Sequence, residues 1–184
     1  TEARLKQSTP EKESLGGWRP KGFVNLSLLK GYRLAFQSSS DHISTHLSYC
    51  NVLVTEPTRK GILEAIRKRR VYGATDNIIA DVRCKVGNTV HFMGEEFTSP
   101  VAPTIDIKLI GAQNIAKVTI IKDDEEVHIV EPNQKEVHFQ WTDPNPTPGK
   151  TSYYYVRGEQ VPDFEGAAGE LVWASPMWIR VEGK

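Results

Sequence analysis

Residues 34–54 read "LAFQSSSDHISTHLSYCNVLV" and hold the densest group of chemically capable side chains in the chain. Asp41 directly precedes His42, and a second histidine, His46, follows four residues later. Carboxylate and imidazole together suit a divalent cation such as Zn, Mn or Fe. A cation held there can lower the pKa of bound water and polarise a phosphoryl or carbonyl oxygen. The competing reading is a polar loop whose histidines hydrogen-bond to backbone. The chain has no HxH or HExxH, and three groups from one loop do not make a di- or trinuclear site. Ser38, Ser39 and Ser40 lead into the loop, but no GxSxG elbow marks any of them as a nucleophile.

The elements around this loop decide what it can do. Phe23, Leu26 and Leu29 follow helical spacing, and Gly31 suits the position just past a helix end. "YRLAFQ" (32–37) reads as a short buried strand, and "NVLV" (51–54) as another. In α/β proteins the residues just beyond a parallel strand line the active site, which is where this pattern puts Asp41, His42 and His46. "TEPTRKGILEAIRKRRVYG" is the clearest helix. Pro57 suits its first turn, Glu56 or Thr55 can face the N-terminal dipole, and Ile62, Leu63 and Ile66 form its apolar stripe. Arg67, Lys68, Arg69 and Arg70 crowd its last turn, and Gly73 ends it. Helix, strand, loop, strand, helix is the grammar of a parallel sheet.

Beyond about residue 76 the pattern changes. "NIIADVRC", "TIDIKLI", "KVTIIK", "EVHIV", "EVHFQW" and "SYYYVRG" are period-2 segments separated by turns. "KDDEE" suits a hairpin, "DPNPTPGK" cannot continue a sheet, and "LVWASPMWIRVEGK" supplies one or two last strands. Strands so spaced predict a β-sandwich. The expected fold is therefore α+β: an α/β segment over 1–75, too short to close its own core, and an antiparallel β-sandwich over 76–184.

Bulk composition narrows the function classes. Twenty-three basic and 23 acidic residues cancel, which argues against a generic nucleic-acid or anionic-membrane surface while leaving room for a local basic patch. No apolar run reaches the length of a membrane span. Cys50 and Cys84 are expected as buried free thiols. "TEARLKQSTPEKESLGG" carries no signal peptide, and the chain begins without Met, as a processed or truncated product would.

"SSSDHISTHLSY", "EAIRKRRVYGATDNIIAD", "MGEEF", "YYYVRGEQ" and "LVWASPMWI", taken in order, span most of residues 18–182. Together they resemble the C-terminal part of a metallohydrolase of the polymerase and histidinol phosphatase (PHP) superfamily. The similarity is to its branch labelled a domain of unknown function, which includes enzymes similar to carbaryl hydrolase. The resemblance implies a distorted β/α barrel, completed here by residues 1–75, that holds two or three metals through His and Asp/Glu. It implies that Asp41 and His42 form a late metal motif. His46 is the alternative ligand, since many relatives place the histidine two residues after the aspartate, where Ile43 stands here. The early HxH ligands of that family are not in this chain, so the remaining ligands would come from outside it.

On that reading the chain is the C-terminal portion of a hydrolase of esters, phosphoesters or carbamates, acting on a small-molecule substrate through metal-activated water. Its partner is the missing N-terminal part of the same barrel, as an upstream segment or a second chain, and a homo-oligomer is allowed. Ser40, Tyr72, Thr75 and Asp76 are candidates to support the metal site or touch substrate. A processed start and an appended sandwich fit a periplasmic or secreted parent. The alternative is a non-catalytic fragment or interaction subunit whose β-sandwich mediates binding or assembly. His91, His128 and His138 read as exposed or lightly bonded strand residues. Trp141, Tyr153, Tyr155, Trp173 and Trp178 read as core and rim in preference to a carbohydrate platform.

Overall fold

The computed structural model describes residues 22–40, 42, 44–165 and 169–183. The chain divides into two compact units, Thr1–Leu34 and Ala35–Lys184. In the first, a helix α1 (Val24–Leu29) ends as its sequence requires: Gly31 takes φ 88° and its N–H donates to the Leu28 carbonyl.

The second unit is mostly β, and this overturns the expected α+β barrel-plus-sandwich. Its first strand, β1 (Tyr49–Val52), is followed by helix α2 (Arg59–Arg67) and strand β2 (Val71–Ala74). The two strands pair antiparallel, with Val52 opposite Val71 and Tyr49 opposite Ala74. Residues 53–70 therefore act as a long hairpin connection that contains a helix, closed by Leu53 N–H donating to the Arg70 carbonyl at 2.9 Å. A strand–helix–strand pattern leaves the return direction open, and here the chain comes straight back instead of crossing over. "YRLAFQ" forms no strand. Phe36 is buried edge-on against Tyr155, and its N–H donates to Ser175 Oγ at 2.8 Å.

Helix α2 has a side-chain cap at one end and a backbone motif at the other. Thr58 Oγ1 accepts from the Gly61 N–H at 3.0 Å. At the C-terminus the N–H groups of Arg69 and Arg70 return to the carbonyls of Ile66 and Ala65, a Schellman closure with Arg69 at φ 58° where glycine is usual. Arg69 is held in that conformation by Nε donating to the Gly94 carbonyl at 2.8 Å, with its guanidinium over the Trp178 ring. The helix thus stops well before Gly73, which lies within β2. A Cβ on Gly73 would sit 3.0 Å from both the nitrogen and the hydroxyl of Ser38, so close backbone approach explains this glycine.

The remaining strands are β3 (Ile79–Val86), β4 (Thr89–Phe92), β5 (Glu96–Ser99), β6 (Thr104–Lys122), β7 (Glu125–Val130), β8 (Gln134–Thr142), β9 (Thr151–Gln160), β10 (Glu170–Ala174) and β11 (Met177–Val181). All eleven join one hydrogen-bonded sheet that curls into a half-barrel. The long strand β6 is its spine. Residues 104–110 pair with β3 and β8, and residues 115–122 pair with β9, while 118–122 also pair with β7. The register shifts between Ile110 and Ile115, where β6 changes partners. The β6–β7 hairpin turns on Asp123 and Asp124, both at positive φ, as a two-residue type I′ turn demands.

Alternation along β6 sends Ile105, Ile107 and Leu109 into the core with no exposed surface. Val118, Ile120, Met177 and Ile179 extend the same cluster, and Cys84 is buried within it. Burial pushes the Cys84 thiol up to about 11, so it stays protonated and inert. Cys50 is also a free thiol but is exposed, against expectation. Trp141, Tyr153, Tyr155 and Trp178 are all buried, as the core reading of the aromatics requires.

A buried polar knot fastens the end of the spine. Lys122 Nζ donates to Asp143 Oδ2 at 2.6 Å and to the Asn145 carbonyl at 2.7 Å, and Tyr154 OH donates to the same carboxylate oxygen at 2.7 Å. Burial pushes the Asp143 carboxyl up, but the bonds from Lys122, Tyr154 and the Asn145 N–H outweigh it and hold it below the ordinary range. Burial and the neighbouring Asp143 carboxylate drive the Tyr154 phenol far up.

Candidate functional site

The loop that sequence singles out is organised by its serines. Ser40 is buried: its Oγ accepts from the N–H groups of Leu47 and Ser48 and donates to the Ser48 carbonyl, each at 2.9 Å. Ser38 Oγ donates to the Tyr49 carbonyl at 2.9 Å, with the Ala74 carbonyl at 3.3 Å. Ser44 Oγ accepts from the His46 N–H at 3.0 Å, a local turn bond. These hydroxyls tie the loop to the paired ends of β1 and β2. His42 and His46 are both exposed, and Asp41 lies outside the described residues. Among the described residues no group of three or more His, Cys, Asp or Glu side chains is placed to hold a metal ion.

The other candidates hold the exit from β2. Tyr72 is buried in the core, and burial pushes its phenol up. Thr75 Oγ1 donates to the Glu170 carboxylate and accepts from the Leu171 N–H at 2.8 Å. Asp76 Oδ2 accepts from Gln160 Nε2 at 2.7 Å, and its Oδ1 caps the Asn77 N–H at 2.7 Å. Thr75 and Asp76 stitch the turn after β2 to β9 and β10, while Tyr72 packs in the core.

A charged groove of about 210 Å³ lies elsewhere, lined by Asp81, Arg83, Asp106, Lys108 and His138 on the outward side of β3, β6 and β8. Register builds it. Asp81, Lys108 and His138 stand abreast across the three strands, and Arg83, Asp106 and Gln140 form the next row. Asp106 binds His138 Nε2 at 2.8 Å and Gln140 Nε2 at 2.9 Å through separate oxygens. Arg83 clasps Asp81 through Nε and a terminal nitrogen, both at 2.7 Å, and lies over the Phe92 ring. Lys108 pairs with Glu136 at 2.8 Å. Burial pushes the Asp106 carboxyl up, but the bonds from Gln140 and His138 and the nearby cations hold it low. Each charge here already has a partner on the same face.

A second cluster is half-buried. Glu95 accepts from Arg70 at 2.7 Å on one oxygen and meets His91 Nδ1 at 3.0 Å on the other. His91 stacks flat on Phe97, with ring centroids 3.7 Å apart. Burial raises the Glu95 carboxyl, and Arg70 and His91 more than offset this, so it stays ionised. The cluster fastens the chain just after α2 to the turn before β5.

Helix α2 leaves three apolar side chains part-exposed on one face; Val127 and Ile129 on β7, and single positions such as Leu29 and Ile79, are exposed as well. Ile62, Leu63 and Ile66, the apolar stripe read from the sequence, are 40%, 43% and 47% exposed. Only Ala65 of the helix is buried. Beside the stripe, Arg59, Lys60, Arg67 and Lys68 are all exposed.

Two relatives match. An uncharacterized protein of Chlamydia trachomatis serovar D is 24% identical over 92% of this chain and 31% of its own length. An uncharacterized protein of Chlamydia muridarum is 22% identical over the same shares. The chain thus spans about a third of the length of the curated relatives it matches. No protein-family profile matches the chain, and no solved structure does.

Sequence reasoning missed the groove, although its signal was present. In "TIDIKLI" Asp106 and Lys108 alternate with the buried Ile105, Ile107 and Leu109, and in "ADVRC" Asp81 and Arg83 alternate with the buried Ala80, Val82 and Cys84. Period-2 alternation puts each pair on an outward face, but only the strand order sets the two faces side by side.

Proposed function

We propose that the chain is a non-catalytic interaction module whose docking face is the outward side of α2. The observation that carries this reading is the exposure of Ile62, Leu63 and Ile66 on a helix that is capped at both ends. A helix normally turns such a stripe to its own core, and an apolar face left outside is characteristic of a surface that meets something else. The pairing of each groove charge with a neighbour supports a structural role for that face, since a general base or nucleophile needs a group in reach that is not already engaged. The metal-dependent hydrolase reading rests on the sequence resemblance, and its test is whether Asp41 and His42 bind a metal.

Replacing Ile62, Leu63 and Ile66 together by Gln tests the reading. Gln is at least as good a helix former as Ile. If the face serves a partner, the melting temperature stays within a few degrees of the parent chain and binding of an apolar fluorescent dye falls. A loss of more than about 2 kcal/mol would place these side chains in the protein's own core and overturn the reading.

A further inference from the structure

We infer that the partner of α2 is an anionic phospholipid surface, on which the helix lies as a peripheral anchor; this rests on the docking face proposed above. Three features of the helix point to lipid. The first is its charge. Arg59, Arg67 and Lys68 are exposed and make no ion pair among the described residues. Lys60 has only a long contact, 3.9 Å, with Glu64, the sole acidic residue of the helix. An apolar stripe bordered by cations is the pattern of helices that lie in the headgroup layer, where apolar side chains enter the acyl boundary and basic ones meet lipid phosphates.

The second feature is geometry. Ala65 is buried, while every other helix residue except the part-covered Gly61 is exposed, so α2 stands on the protein as a convex ridge. A side chain advances about 100° around the helix per residue, which sets Ile62 and Ile66 beside the buried edge and Leu63 beyond them. A convex ridge suits a deformable interface. Three apolar side chains, each under half exposed, are a small part of the ~800 Å² that a stable protein interface takes from each partner. The third feature weighs against a second copy: in self-pairing Arg59 and Arg67 would meet a face whose single acidic residue is Glu64.

The two arginines at the end of the helix act as its mount. Arg70 is held by Glu95 and Arg69 by the Gly94 carbonyl and the Trp178 ring, so neither is available to lipid. They fasten the C-terminal end of the ridge to the body.

Vesicle co-sedimentation of the 184-residue chain tests the inference. It compares pure phosphatidylcholine with phosphatidylcholine containing phosphatidylglycerol, at low and high salt. The expected result is partition onto the anionic vesicles only, weakened by salt. It should fall about tenfold or more in an Arg59→Gln/Arg67→Gln/Lys68→Gln variant and in the Ile62, Leu63, Ile66 Gln variant, with circular dichroism unchanged. No partition onto anionic vesicles, or equal partition by both variants, overturns it. An acidic amphipathic peptide that binds the parent chain while vesicles do not would overturn the lipid assignment yet leave the docking face standing. A concentration-dependent dimer lost in the apolar variant would do the same. Failure of the docking face itself would appear earlier, as the stability loss described above.

Discussion

Strand β6 and helix α2 carry equally clear amphipathic patterns, and the fold treats them in opposite ways. In β6 every second residue from Ile105 to Leu109 is sealed in the core. In α2 the three residues at the expected helical spacing stay 40%, 43% and 47% exposed. Periodicity states which side chains share a face; it does not state what covers that face. β6 is covered because strands before and after it in sequence pair along both its edges and curl the sheet over it. α2 belongs to the connection between two edge-side strands; it buries Ala65 fully and its other apolar side chains only in part, and its end is fastened by Arg69 and Arg70.

That contrast can be broken by mutation. The largest effect is expected at the base of the spine, where Asp143→Ala strips the half-buried Lys122 and the buried Tyr154 hydroxyl of their shared carboxylate and should cost about 3–5 kcal/mol in chemical denaturation. A loss under 1 kcal/mol would show that the knot is ornamental. The same carboxyl sets an acid limit. Its folded-state pKa is depressed, so its contribution is fully present above the unfolded value, about 3.9, and is lost as pH falls through the folded one. The wild-type chain should therefore lose stability faster than Asp143→Ala when the pH is lowered below about 4.

Next in size is Ile107→Ala, which empties a fully buried position and should cost about 2–5 kcal/mol. Thr58→Ala removes the cap of α2 and should cost about 1 kcal/mol, and hydrogen exchange should rise in residues 59–67 ahead of the sheet. A uniform rise would mean that helix and sheet open together. Smallest of all, Ile66→Ala should stay within about 0.5 kcal/mol of the parent, though it is the same kind of truncation as Ile107→Ala. Equal costs at the two sites would erase the contrast.

Most strands beyond residue 76 were legible because each carries its own alternation and turn chemistry, down to Asp123 and Asp124 in the hairpin; the short β4 and β5 were not read, and the two halves of β6 were read as separate strands. The first half of the second unit was misread for a physical reason. β1, α2 and β2 are recognisable as segments, but antiparallel return and parallel crossover share one local pattern and differ only in pairing partners up to a hundred residues away. Val172, for example, is what lies beside Ala74. The serines of the loop at 38–48 show the same limit: no elbow motif marked them as nucleophiles, and the backbone groups that take the hydroxyls of Ser38 and Ser40 are brought near only by folding. Gly73, assigned to a helix end, is explained by one contact, Ser38, that no local rule anticipates.

The division of β6 into two halves has a kinetic consequence. Its first half needs β3, made earlier, and β8, made later; its second half needs β9, whose last residue is Gln160. Synthesis of the spine therefore ends some forty residues before its edges can be filled. Until then a 19-residue apolar-faced strand has only β3 and its own hairpin for cover. Pairings of such long sequence separation place folding on the millisecond-to-second scale. Truncation before β9 would leave an open edge beside Val118 and Ile120, the geometry from which strand-to-strand aggregation starts.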